Sequence, residues 1–308
     1  MPEKSFSPAQ IIDAHVHIMT PRRIRGGIRW IRKAISEYYN LPLEVTAEEL
    51  VRHMQEAGVK AFFNYFYPLQ PGESQEINRW QKEMALCCPG FVPFASLHPG
   101  DSAKEEIVRE ALSDPVFAGF KFHPYIQQFD PLDDRMTKVY SLLEKAGCLT
   151  TLHTGFSVFY QLPSQAGSIL EFLRRYPGLK VIAAHMLSPD LPLEEIGEIA
   201  LAYPNLYLDA TNILWWYQKY APYRTETLKQ FIQQFSSRMV FGTDYPMGMT
   251  YPVRDLYVHA FSLCPTQEAA EDLFWRTAYR LLPPWHQERL EKLIKAVPKA
   301  EKHGEAKP

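Results

Sequence analysis

Apolar positions along the chain fall into two periods. Short runs rich in β-branched and aromatic residues recur at 11–16, 59–66, 91–97, 117–122, 148–152, 179–184, 206–208 and 239–242. Each has the length and make-up of a buried strand. Between them the spacing changes to that of a helix. In 47–57, Leu50, Val51, Met54 and Ala57 share one face, and Gly58 is a stop signal. In 134–146 the stripe is Val139, Leu142, Leu143 and Ala146, ended by Gly147. The segment 168–176 ends at Pro177-Gly178, and 193–202 ends before Pro204. Strand and helix alternate eight times, which predicts parallel strands joined by crossover helices. The pattern predicts an α/β fold of the (β/α)8 TIM-barrel type, with a doubly wound open sheet as the alternative.

Length agrees. The chain has 308 residues, and such barrels commonly need about 250 plus insertions. No low-complexity linker interrupts 11–283, so 11–296 reads as one domain. It follows a short N-terminal extension, 1–10, and precedes a Lys-, Glu- and Pro-rich tail, 297–308, for which disorder is expected. A hydrophobic content of 46% supports a large core. The formal net charge of −2 provides no basic field for nucleic acid or an anionic membrane. No apolar run approaches the roughly 20 residues of a membrane span, and the polar start lacks the layout of a signal peptide. Cys87, Cys88, Cys148 and Cys264 form no C-x-x-C pair. A cytoplasmic, reducing setting is expected. No sequence feature specifies whether copies of the chain associate into a homo-oligomer.

The candidate chemistry sits at the ends of the strands. Residues two apart on a strand share a face, so Asp13, His15 and His17 are expected to be co-facial. Two imidazoles so placed can share one metal ion, although an isolated H-x-H is a weak signal. The other strands sharpen it. The fifth ends in His153, the sixth in His185 and the eighth in Gly242-Thr243-Asp244, while the fourth runs into His123. Five of the ten histidines thus lie at or just beyond strand C-termini. Packing alone does not explain that, because a buried imidazole needs partners. Histidine nitrogen with carboxylate oxygen suits a divalent ion, zinc foremost.

Gly119, Lys121 and His123 share a face of the fourth strand. A lysine inside a barrel must be paired or used. Lys121 could bind a substrate carboxylate, be carboxylated and bridge two metal ions, or pair with Asp209. Two segments on the βα side also stand out. The stretch 20–42 holds Arg22, Arg23, Arg25, Arg29, Arg32 and Lys33, and 211–224 holds Trp215, Trp216, Tyr217, Tyr220 and Tyr223. The cations suggest an anionic, carboxylate-bearing small molecule and the aromatics a flat or apolar body. Lys121, His123 and Trp215 are accordingly the expected substrate contacts.

Taken in order, Asp13-Ala14-His15-Val16-His17, Phe94-Ala95-Ser96-Leu97-His98-Pro99, Gly119-Phe120-Lys121-Phe122-His123-Pro124, His153-Thr154-Gly155, Ala184-His185 and Gly242-Thr243-Asp244-Tyr245-Pro246 resemble the amidohydrolase superfamily. The likeness is to its amidohydrolase-related branch, which includes aminocarboxymuconate-semialdehyde decarboxylase. The resemblance implies a barrel holding a divalent metal, most often zinc. His15, His17 and His153 would be ligands, and Asp244 a further ligand or the base that takes a proton from water. His185 would polarise the water or stabilise a developing oxyanion. The segment beginning Thr277 and the Asp209-Ala210-Thr211 strand end depart from the branch's usual pattern.

The implied activity is hydrolysis of a lactone, ester or amide of a small anionic substrate. The alternative is non-oxidative decarboxylation of an aromatic or unsaturated acid, with carbon dioxide released. A non-catalytic barrel with a vestigial site is the remote alternative. It would be expected to have lost some of the five site residues, and all are present.

Overall fold

The computed structural model describes residues 10–35, 41–220, 223–248 and 251–296. The N-terminal extension, apart from Gln10, and the 297–308 tail lie outside them. Eight parallel strands follow one another around a single sheet in sequence order. They are β1 (Ile12–Val16), β2 (Ala61–Tyr65), β3 (Phe91–Ala95), β4 (Gly119–Phe122), β5 (Leu149–His153), β6 (Lys180–Ala184), β7 (Leu206–Asp209) and β8 (Met239–Val240). Each expected strand is present. Three hydrogen bonds close the seam between β8 and β1: Ala14 N to Phe241 O (2.8 Å), Asp244 N to His15 O (2.8 Å) and His17 N to Tyr245 O (2.7 Å). The open-sheet alternative is therefore excluded, because an open sheet leaves its first and last strands unpaired.

Helices cover the outside, among them α1 (Pro21–Ala34), α2 (Ala47–Glu56), α3 (Thr137–Lys145), α4 (Ala166–Arg175), α5 (Leu193–Ala202), α6 (Ile213–Tyr220) and α7 (Val253–Ser262). Alternation of side chains splits the core in two. Val16, Phe62, Phe120, Phe122, Val181 and Leu208 face outward to meet helix residues such as Leu50, Leu143, Phe172 and Ile196. Ile12, Ala14, Phe63, Val92, Phe94, Leu149, Ile182 and Val240 fill the barrel interior. With the interior packed, the open end for chemistry is the one where the strands finish.

The other end is shut by α8 (Pro284–Ala296), whose Leu290 joins Ile12, Ala61 and Leu149 at the strand starts. His286 on this helix is buried and bonds through Nε2 to Val116 O at 2.9 Å. Burial pushes its imidazole down from 6.5 to about 4. Between those values the unfolded chain takes up a proton that the folded chain refuses. The contribution of neutral His286 is thus intact above pH 6.5 and lost as pH falls toward 4, by about 3 kcal/mol. We expect the stability lost between pH 7 and pH 4 in denaturant unfolding to be smaller by about that amount in His286→Gln. An equal loss in both proteins would remove His286 from the acid response.

Candidate metal centre and the cavity above it

β1 does not keep strict alternation. Its register against β2 slips between Asp13 and Val16, so three steps on β1 match two on β2. This bulge has a chemical consequence. Ile12 and Ala14 point into the barrel, and the extra residue turns His15 and His17 inward after them. Asp13 is left outside. Its carboxylate accepts from Thr243 Oγ1 and Tyr257 Oη, each at 2.6 Å, and from the backbone N–H groups of His15 (3.0 Å) and Thr243 (3.1 Å). The expected co-facial trio is therefore a pair. Asp13 serves as a clamp that holds the bulge and ties β8 to it. Burial raises its pKa to about 6 against the pull of those four bonds.

The two histidines have their outer nitrogens occupied. His15 Nδ1 lies 2.6 Å from Asp209 Oδ2 at the end of β7, and His17 Nδ1 lies 2.7 Å from the Tyr65 carbonyl at the end of β2. Both partners accept, so both rings carry their proton on Nδ1 and present a bare Nε2. The bare nitrogens are 3.1 Å apart. Asp244 Oδ1 is 3.0 Å from that of His17 and 3.6 Å from that of His15. Three acceptors thus converge with no proton to place between them. Among the described residues this trio is the group of donors compact enough to hold an ion. The arrangement fits a divalent cation, because a positive charge is what the three lone pairs lack.

His153 stands beside this group. Its Nε2 is buried without a hydrogen-bond partner, its ring stacks on His123 at 3.7 Å, and His185 lies 4.7 Å away. A buried, unpartnered imidazole nitrogen at the mouth fits a further ligand. His185 Nδ1 donates to the Thr211 carbonyl at 3.0 Å. Burial holds its pKa at about 4. The neutral ring therefore offers the cavity a lone pair, and it cannot donate to an oxyanion. Strand-end turns in left-handed backbone present several of these groups, with φ of 62° at His185, 61° at Asn212 and 61° at Asp244. Thr154 braces one of them, its Oγ1 donating to Ala184 O at 2.6 Å and accepting from Leu187 N at 2.9 Å.

Lys121 lies beneath this layer. It is fully buried, its Nζ has no hydrogen-bond partner, and it sits 4.5 Å over the Tyr65 ring. Burial lowers its pKa and raises that of Asp209. The two are not within ion-pair distance, since Asp209 is engaged by His15 and by Thr211. Lys121 does not line the cavity.

That cavity measures about 910 Å³ and opens above His17, His123, His153, His185 and Asp244. Trp215 and Trp216 from α6 line it. The arginine-rich stretch behaves otherwise. As α1 it buries Ile24, Ile28 and Ile31 and turns Arg22, Arg29, Arg32 and Lys33 to solvent. Arg25 pairs with Glu44 at 2.5 Å. Only Arg23 reaches the cavity, and its guanidinium is held by Glu73. Residues 36–40 of that stretch, and 221–222 of the aromatic one, lie outside the described residues.

Sequence reading missed Tyr65, Tyr67, Tyr160, Thr211 and Asn212 as site residues. Asn212 Nδ2 donates to Asp244 Oδ2 at 3.0 Å. Position could have found Asn212 and Thr211, which directly follow β7. Asp209 was considered only as a partner of Lys121, and it orients His15 instead. Asp209→Asn is expected to weaken zinc binding about 10- to 100-fold, the usual effect of losing such a support. Competition against a fluorescent chelator measures it, and an unchanged affinity would exclude the role.

The sequence profile of the amidohydrolase family matches residues 12–283. No protein with a curated description is similar in sequence. An uncharacterised TIM-barrel protein from Bordetella bronchiseptica is similar in structure, with a TM-score of 0.64 at 20% identity, covering 92% of this chain and 99% of that one. So is 5-carboxyvanillate decarboxylase from Novosphingobium aromaticivorans, in complex with manganese and 4-hydroxy-3-methoxy-5-nitrobenzoic acid. Its TM-score is 0.63 at 14% identity, covering 93% and 97%. A third, 4-oxalomesaconate hydratase from Rhodopseudomonas palustris, gives 0.61 at 15%, covering 93% and 98%. At these identities the likeness is one of fold.

Proposed function

This chain belongs to the amidohydrolase family, and from that premise we propose that it is a metal-dependent hydrolase of small acyl substrates. The observation that supports the reading most is the meeting of His15 Nε2, His17 Nε2 and Asp244 Oδ1 with no proton among them. His15, His17, Asp244 and His153 would hold one divalent ion, zinc by our reading. When bound, such an ion polarises a carbonyl and lowers the pKa of a coordinated water from about 15.7 toward about 7.

The chain's own groups divide the remaining work. Asp244 takes the proton of the attacking water, its second oxygen fixed by Asn212, and returns it to the leaving oxygen or nitrogen as that atom's bond to the carbonyl carbon breaks. His185 accepts a hydrogen bond from that water through its bare Nε2. Charge on the carbonyl oxygen needs a donor, and His123 indicates which. Its Nδ1 accepts from Ile126 N at 3.3 Å, so its Nε2–H donates to Tyr160 Oη, also at 3.3 Å. The Tyr160 hydroxyl proton is then free for substrate. Tyr160 keeps that proton, because burial raises its pKa well above 10. A carboxylated Lys121 would imply a second ion. A carboxylate-bearing substrate would have to place that group at the ion, the arrangement decarboxylation requires.

The test is a panel of lactones, esters and unsaturated or aromatic carboxylic acids assayed in ¹⁸O-labelled water. Label appearing in a carboxylate product supports hydrolysis. Carbon dioxide release without label overturns it in favour of the decarboxylase. Metal analysis giving one ion per chain is expected; two would favour the carboxylated lysine.

A further inference from the structure

The lining of the cavity carries more than its floor. The exposed large apolar side chains of the described residues are few, and four of them ring this one opening. Trp30, Leu69, Val158 and Tyr220 all line the cavity while remaining 44%, 40%, 74% and 56% exposed. They come from four separate elements, so no single amphipathic helix explains them. Such a patch normally marks a binding surface. The same cavity is lined further by Ile31, Phe156, Phe159 and Trp216, and by the histidines.

The charges are equally one-sided. Among the described lining residues the cation is Arg23, and Glu73 already engages it while also accepting from Leu69 N (2.8 Å) and Gln70 N (3.1 Å). The internal stretches outside the described residues, 36–40, 221–222 and 249–250, contain no lysine or arginine. Lys219 stands outside the lining, its Nζ 4.8 Å over the Trp215 ring and 5.0 Å over that of Tyr220. An anionic group held inside the cavity, short of the exposed collar, would therefore lose its water and meet only the engaged Arg23.

We propose that the site takes an uncharged acyl compound whose apolar body, alkyl or aryl, fills the cavity and reaches the collar formed by Trp30, Leu69, Val158 and Tyr220. This is opposite in charge to what the arginine-rich sequence suggests. The volume, about 910 Å³, lies near the upper end of ligand sites, roughly 300–1,000 Å³. The inference rests on the hydrolase reading only for the bond that reacts.

Unreactive ketones separate the two claims. Binding of 2-alkanones from six to fourteen carbons to zinc-loaded protein is followed by calorimetry, beside ketones of equal length ending in a sulfonate, a poor metal ligand. Each added methylene is expected to lower Kd by up to about fourfold until the cavity is full. Sulfonates short enough to end inside the cavity are expected to bind at least tenfold more weakly than ketones of equal length. Val158→Asp, at an exposed position, is expected to flatten the length dependence of the longer ketones. A Kd independent of length, such short sulfonates binding as well as ketones, or an unaltered Val158→Asp series would each overturn the proposal. So would capture of the protein by phosphatidylcholine vesicles with no length dependence for ketones, which assigns the collar to a lipid surface. A protein that binds the ketones but hydrolyses no ester would refute the hydrolase reading and leave this inference standing.

Discussion

Zinc-loaded protein is expected to melt about 5 °C or more above chelator-treated protein, and Asp244→Asn is expected to abolish most of that increment. At a metal concentration a hundredfold above Kd, binding to the native state alone adds about 2.7 kcal/mol. In a chain of this size each kcal/mol shifts Tm by roughly 2 °C. Asp244 is the informative ligand because its side chain is 15% exposed. Neutralising it leaves no newly buried, unpaired charge, so the variant should fold. His15→Ala would be less clean, since it strands the Asp209 carboxylate in the interior. Turnover of any substrate found in the panel should fall at least a hundredfold in Asp244→Asn. Full activity in chelator, with no change in Tm, would end the metal hypothesis. Activity lost while the zinc increment remains would make Asp244 a base and not a ligand.

The second large effect is expected at a glycine with no polar atom to lose. A Cβ on Gly242 would lie 2.4 Å from His15 Cβ, 2.7 Å from His15 N and 2.4 Å from Thr211 Oγ1. Neither neighbour can retreat. His15 is pinned by Asp209 and by the seam bond from Asp244 N, and Thr211 Oγ1 is bonded to the same Asp209. Gly242→Ala should therefore push β8 off β1 where the two carry opposite sides of the metal centre. The expected cost is about 3 kcal/mol, at the high end for overpacking, together with most of the zinc affinity. Gly167→Ala in α4 is the control, because a Cβ there meets nothing within 4 Å. It should be neutral or stabilising by up to about 1 kcal/mol. If Gly242→Ala melted and bound zinc like the control, the close approach of β8 to β1 would not be what sets the site.

Much of this was legible in the chain because local periods record which face of each element is buried. Strands at fixed intervals, helices ending at Gly58 and Gly147, and histidines at strand ends follow from alternation and stop signals within short windows. The ordered motifs then led to the family. The 20–42 stretch shows where such reading fails. Six cations in sequence suggested an anion site, yet isoleucines at helical spacing decided which way the helix turned: four of the charges went to solvent, Arg25 to Glu44, and Arg23 alone to the cavity. Charge counts say what a segment carries, and burial of the apolar stripe says where it points.

By itself, the sequence determined the barrel, the set of strand ends that meet at one mouth, and the residues available there to bind a metal. Tertiary structure alone decided how those residues act. Alternation placed Asp13 beside His15 and His17; the bulge, set by hydrogen-bond register to β2 and β8, put Asp13 outside and both imidazoles inside. Likewise, no local pattern says which nitrogen of His15 or His185 bears the proton. Asp209, 194 residues from His15, and the Thr211 carbonyl fix that. A tautomer belongs to the partner a ring finds across the barrel, and partners are known only once the strands have closed.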